Sequence, residues 1–143
     1  MSKREVRLHC RLRKPRIGRG ELVAFALDVL GRLRLEGELG VLICSSRSVA
    51  ALNRRFRGKA GPTDVLSFPD GTPQLGGEVY LGDIVIAAPV AAAAAKEEGI
   101  PLEVELKRLL LHGILHLAGY DHEADSGAMR RKERVLRKDL GIA

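Results

Sequence analysis

The chain has 143 residues, 45% hydrophobic and 29% charged, which suits one soluble globular domain spanning residues 1–143 with a core of its own. Its apolar stretches are too short, or too broken by charge, to span a bilayer, and no apolar run follows Met1, so no membrane contact and no signal peptide are expected. The net charge of +6 is unevenly placed: residues 1–20 and 129–143 are strongly basic, whereas the segment between them is acidic overall. Basic ends attract a polyanion such as nucleic acid, but charge alone leaves a merely solvated surface equally open. With three Phe, two Tyr and no Trp, RNA contact would rest on Arg and Lys more than on aromatic stacking. Cys10 and Cys44 lie far apart outside any C-x-x-C pair, which points to reduced thiols in a cytoplasmic protein.

Taken in chain order, residues 6–12 alternate as a first strand, and residues 21–35 repeat apolar side chains with a helical period. Residues 40–45 read as a buried strand. Ser46 or Ser48 is a candidate cap for a helix whose inner face holds Val49, Leu52 and Phe56 and which Gly58 ends. A strand over 65–68 ends at Pro69, a loop starts at Asp70–Pro73, and a strand over 78–87 follows in an antiparallel pair. Pro89 opens an Ala-rich helix closed by Gly99, and Pro101 opens the next helix. A last helix covers 125–139, with Met129, Val135 and Leu136 as its apolar residues. This order predicts an α+β fold: a small mixed sheet of about four strands packed with about five helices.

The helix after Pro101 carries the most informative stretch, His112-Gly-Ile-Leu-His116-Leu-Ala-Gly-Tyr-Asp-His122. His112 and His116 are four apart and share a helix face. Gly119 can stop the helix in a left-handed cap, after which the chain can return His122 to the same point. Three converging imidazoles suit one catalytic zinc ion per chain, with a fourth position for water. The His-x3-His-x5-His spacing is metzincin-like, except that Gly113 stands where the peptidase base would be. Two histidines on an apolar helix can also be core residues; the third histidine and the turn glycine favour the metal. Arg54, Arg55, Arg57 and Lys59 belong to a basic segment, expected to wall the cleft and contact RNA. Arg57 is the candidate to grip phosphate with its planar fork, against the alternative of a solvated helix-end arginine. Asp64, Asp83 and Asp121 are candidates to orient ligand histidines, or else turn-forming residues. Ser67 is expected to hydrogen-bond within the sheet, His9 to play no part in the metal site, and Tyr120 either to close over the site or to pack against the last helix.

Three blocks in order carry a resemblance: Leu52-Asn53 with Phe56-Arg57-Gly58-Lys59 and residues 62–69, then Leu81-Gly82-Asp83-Ile84-Val85-Ile86, then the histidine stretch. Together the chain resembles the YbeY family of bacterial rRNA maturation factors. The basic run Arg130-Arg131-Lys132 departs from the more acidic or neutral helix expected there. The resemblance implies a zinc-dependent endoribonuclease specific for single strands, acting on an rRNA precursor, especially at the small-subunit 3′ end, and in ribosome quality control. It implies ribosomal proteins or assembly factors as partners, catalytic roles for Arg57 and His112, and metal ligation by His112, His116 and His122. Two rivals stand beside it: a metal hydrolase of another substrate such as a peptide, and a zinc-containing ribosome-assembly factor that binds without cleaving.

Overall fold

The computed structural model describes residues 4–57, 63–73, 78–120 and 126–143. Four strands, β1 (Arg4–Cys10), β2 (Gly37–Cys44), β3 (Val65–Pro73) and β4 (Val79–Ala87), form one sheet in the order β1-β2-β4-β3. β1 and β4 both run parallel to β2, and β3 pairs antiparallel with β4. The sheet is therefore mixed, as the element order predicts. Five helices complete the described fold: α1 (Arg19–Arg32), α2 (Ser46–Arg57), α3 (Ala88–Glu98), α4 (Leu102–Leu117) and α5 (Ala128–Asp139). None is long and apolar enough to cross a membrane.

Alternation along the strands divides the apolar residues between two layers. Leu39, Val41 and Ile43 of β2 and Ile84 and Ile86 of β4 bury against α1 and α4. Cys44, Leu66 and Val85 point the other way and pack with Val49 of α2. α4 is the central helix, with Leu106, Leu110, Leu111, Ile114 and Leu115 all at most 1% exposed. Both cysteines are free thiols, and burial pushes the Cys44 thiol up from its ordinary range.

Several local expectations are corrected. The α2 cap is Ser45, whose Oγ accepts the Ser48 N–H at 3.1 Å, rather than Ser46 or Ser48. Phe56 is 59% exposed rather than buried on the inner face, and its ring meets Phe68 of β3 edge-on at 5.8 Å. Val135 is likewise exposed, because the buried stripe of α5 passes through Met129 and Leu136. β3 does not stop at Pro69. It is an edge strand, where a proline's missing N–H costs no interior ladder bond, and a register shift between Pro69 and Thr72 with Gly71 at φ +84° carries the pairing on to Pro73.

Candidate active site

α4 ends as the glycine pattern predicts. Gly119 takes φ +99°, its N–H bonds to the His116 carbonyl at 3.0 Å, and the Tyr120 N–H bonds to the Leu115 carbonyl at 3.1 Å. This paired closure is a Schellman motif, which turns the chain away immediately after the second histidine. His112 and His116 project from consecutive turns of α4. Their rings are 4.8 Å apart between centroids and nearly perpendicular, at 79°. Both are partly exposed, whereas Leu111, Ile114 and Leu115 around them are buried. The two histidines thus form the polar margin of the apolar C-terminal half of α4. His122, Asp121 and Lys59 lie outside the described residues.

The carboxylate behind His112 is Glu133, on α5. Its Oε1 is 2.8 Å from His112 Nδ1, and its Oε2 accepts from Arg137 Nη2 at 2.7 Å. Burial pushes the Glu133 carboxyl up, but the hydrogen bond from His112 and the charges of His112 and Arg137 outweigh it and hold the group below its ordinary range. An acceptor at Nδ1 places the proton on that nitrogen, so metal ligation by His112 would use Nε2. Among the described residues, two imidazoles on one face, one of them oriented by a carboxylate through its far nitrogen, are donors of the kind zinc takes, and no group of three or more such donors is found there.

Glu133 was not among the carboxylates expected from sequence. Those in the described region lie elsewhere. Asp83 sits on β4 between Gly82 and Ile84, whose positions face α4, so its side chain is on the opposite side of the sheet. There it accepts a hydrogen bond from the Tyr80 hydroxyl and lines a cavity of about 540 Å³ with Arg7, His9 and Gly40. Burial, followed by the bond to Asp83, drives the Tyr80 phenol well above its ordinary range. Gly40 leaves room for this pair: a Cβ there would lie 2.6 Å from the Tyr80 oxygen and closer still to Asp83, so these side-chain ends would have to shift. His9 shares this cavity and stands apart from α4, consistent with its exclusion as a ligand. Asp64 precedes β3, where its backbone carbonyl accepts the Ala87 N–H.

Ser67 bonds to the Gly113 carbonyl at 3.4 Å, linking β3 to α4 rather than acting within the sheet. Tyr120 packs against the main core. Arg54 and Arg55 are exposed on the last turns of α2, and Arg55 lies 5.3 Å from the Phe56 ring centroid. Arg57 is the final residue of that helix; the described part covers its backbone and not its side chain.

Gly113 has a steric cause. A Cβ there would lie 2.9 Å from Ile84 Cδ1 and 3.0 Å from two further Ile84 carbons. The helix rests directly on β4 at this point, and no acidic side chain fits between them. Gly113→Ala is expected to cost about 1–3 kcal/mol of overpacking, offset by roughly 1 kcal/mol of better helix propensity. Urea denaturation should show a lowered midpoint; an unchanged midpoint would mean that Ile84 yields freely.

This layered fold is shared with a solved relative. A solution structure from Thermotoga maritima matches with a TM-score of 0.58 at 28% identity, covering 90% of this chain and 84% of that one. The family model for Endoribonuclease YbeY matches residues 20–141. The Endoribonuclease YbeY of Sulfurovum sp. (strain NBC37-1) is 42% identical over 120 residues, covering 82% of each chain. That of Aquifex aeolicus (strain VF5) is 42% identical over 131 residues, covering 91% of this chain and 86% of its own. The chain belongs to the Endoribonuclease YbeY family.

Proposed function

We propose that this chain, acting as one catalytic domain, is a zinc-dependent endoribonuclease. It cleaves single-stranded RNA during rRNA maturation, notably at the small-subunit 3′ end, and in ribosome quality control in the cytoplasm. Ribosomal proteins or assembly factors present the substrate. The observation that carries this reading is the His112–His116 pair on one face of α4 with Glu133 bonded behind His112, in a chain of this family.

His112, His116 and His122 would hold the metal. When bound, zinc supplies a water acidified to a pKa of about 7 and a positive charge for a phosphate oxygen. The chain's own residues set the geometry. Glu133 keeps the Nδ1 proton on His112 and fixes the ring plane, and Arg137 fixes Glu133 in turn. The stop at Gly119 ends α4 directly after the second histidine. Arg57, at the end of α2, grips a non-bridging phosphate oxygen pair and offsets the charge that builds during cleavage. Arg54, Arg55 and Lys59 add phosphate contacts along the same segment.

Peptide hydrolysis loses support at Gly113, where packing on Ile84 leaves no room for the base that the spacing would otherwise imply. The name borne by the curated relatives supports a nuclease over a factor that only binds.

The test is cleavage of single-stranded and duplex forms of one rRNA precursor segment by wild type and Arg57→Lys. Wild type should cut the single strand selectively. Arg57→Lys keeps the charge and loses the fork, so cleavage should slow by roughly 100-fold, the scale of losing one transition-state donor. Equal rates would remove Arg57 from catalysis, and no selective cleavage by wild type would remove the nuclease reading.

A further inference from the structure

α5 carries Arg130, Arg131, Lys132, Arg134, Arg137 and Lys138 against only Glu133 and Asp139. Three of the arginines, at 130, 134 and 137, follow the i, i+4, i+7 spacing of one helix face. They line a cavity of about 460 Å³ with His112, Met129 and Glu133. Arg130 and Arg134 are exposed and have no ion-pair partner among the described residues. Glu133, the one acid lining the cavity among the described residues, bonds to His112 and Arg137 and forms no ion pair with Arg130 or Arg134. Like charges four apart on a helix repel and cost it stability. A helix in this state is poised for an anionic ligand, and the cavity shares a wall with the candidate metal centre through His112.

We infer that Arg130 and Arg134, backed by Arg137, form a phosphate subsite that holds the RNA backbone beside His112. The inference rests on the nuclease reading above and extends it to a residue set outside the α4 histidines and the α2 arginines. The chemistry fits a flexible strand of phosphodiesters. Two exposed guanidinium forks accept successive phosphates, and buried Met129 gives the cavity an apolar floor for a ribose or base edge. Arg137, tied to Glu133, connects occupancy of the subsite to the carboxylate that orients His112.

The test reads binding rather than cleavage, so that it stands even if the nuclease reading falls. All proteins carry His116→Ala and are checked for native circular dichroism. A short labelled oligouridylate is titrated by fluorescence anisotropy from about 50 to 200 mM salt. Arg130→Gln/Arg134→Gln should weaken binding about tenfold at low salt. It should also reduce the slope of log K against log salt by about 1.4, two single-strand phosphate contacts at roughly 0.7 each. Arg13→Gln/Arg16→Gln, which removes the same charge from an exposed segment before α1, should change the slope far less. Equal effects from the two pairs would reduce the surface to general attraction and overturn the inference, as would an unchanged slope in the α5 variant. Displacement of the RNA by poly-glutamate as effectively as by unlabelled RNA would assign the surface to an acidic protein segment and overturn it too.

Discussion

His116→Ala is expected to abolish RNA cleavage and to lower zinc affinity by more than the roughly 100-fold that marks the upper range for loss of an outer-shell partner. The substitution removes a ligand outright, and two histidines cannot hold the ion in a site open to water. His116 is partly exposed at the end of α4, with the buried packing carried by its neighbours Ile114 and Leu115. The Schellman closure uses its backbone carbonyl and not its ring. The variant should therefore keep its fold. Metal analysis of wild type should give one zinc per chain, against far less in the variant. Full zinc occupancy in a folded His116→Ala protein would sink the ligand assignment, and full cleavage without zinc would separate metal from chemistry.

How far this site could be read before folding depends on the range of each contact. The His112–His116 pair was legible because a helix fixes the geometry of residues four apart. Gly119 was legible because only a left-handed residue closes α4 that way. The mixed sheet was legible in outline, from its short apolar runs and one antiparallel connection, but the strand order was not. Glu133 was not, because it reaches His112 across 21 residues and sits in a helix that reads as solvated and basic. One signal was present. Met129, Glu133 and Leu136 fall on one stripe, and the outer two are buried, so the only acid on that stripe had to be satisfied indoors. Asp83 was more tempting because it abuts a β4 run that faces α4, but strand alternation sends its side chain to the other face. The meaning of Gly113 was legible only as the absence of a base. That Ile84 enforces the absence is a contact between β4 and α4, which no local spacing encodes.

Glu133→Ala is expected to weaken zinc binding by about 10–100-fold while leaving all three histidines in place, the scale usual for an outer-shell carboxylate. The loss has two sources. Without an acceptor at Nδ1, His112 is no longer held in the tautomer and ring plane that present Nε2. Arg137, at the same time, loses the partner that neutralises it 2.7 Å away, leaving an unpaired cation beside an incoming divalent ion. Glu133→Gln separates these sources. It keeps an oxygen for the Nδ1 proton and loses the charge, so its affinity should fall between wild type and Glu133→Ala. Competition with a chelating indicator measures all three. The acid side offers a second reading on metal-free protein. The Glu133 carboxyl is held below its ordinary value of 4.5, so the stability it contributes is complete above that pH and is lost as pH falls through its depressed folded value. The gap in stability between wild type and Glu133→Gln should accordingly close as pH falls through the depressed folded value of the carboxyl. A gap that persisted unchanged at the lowest pH would mean that the carboxylate's charge does not hold α5 against α4. Equal zinc affinity in all three proteins would mean that it does not orient His112.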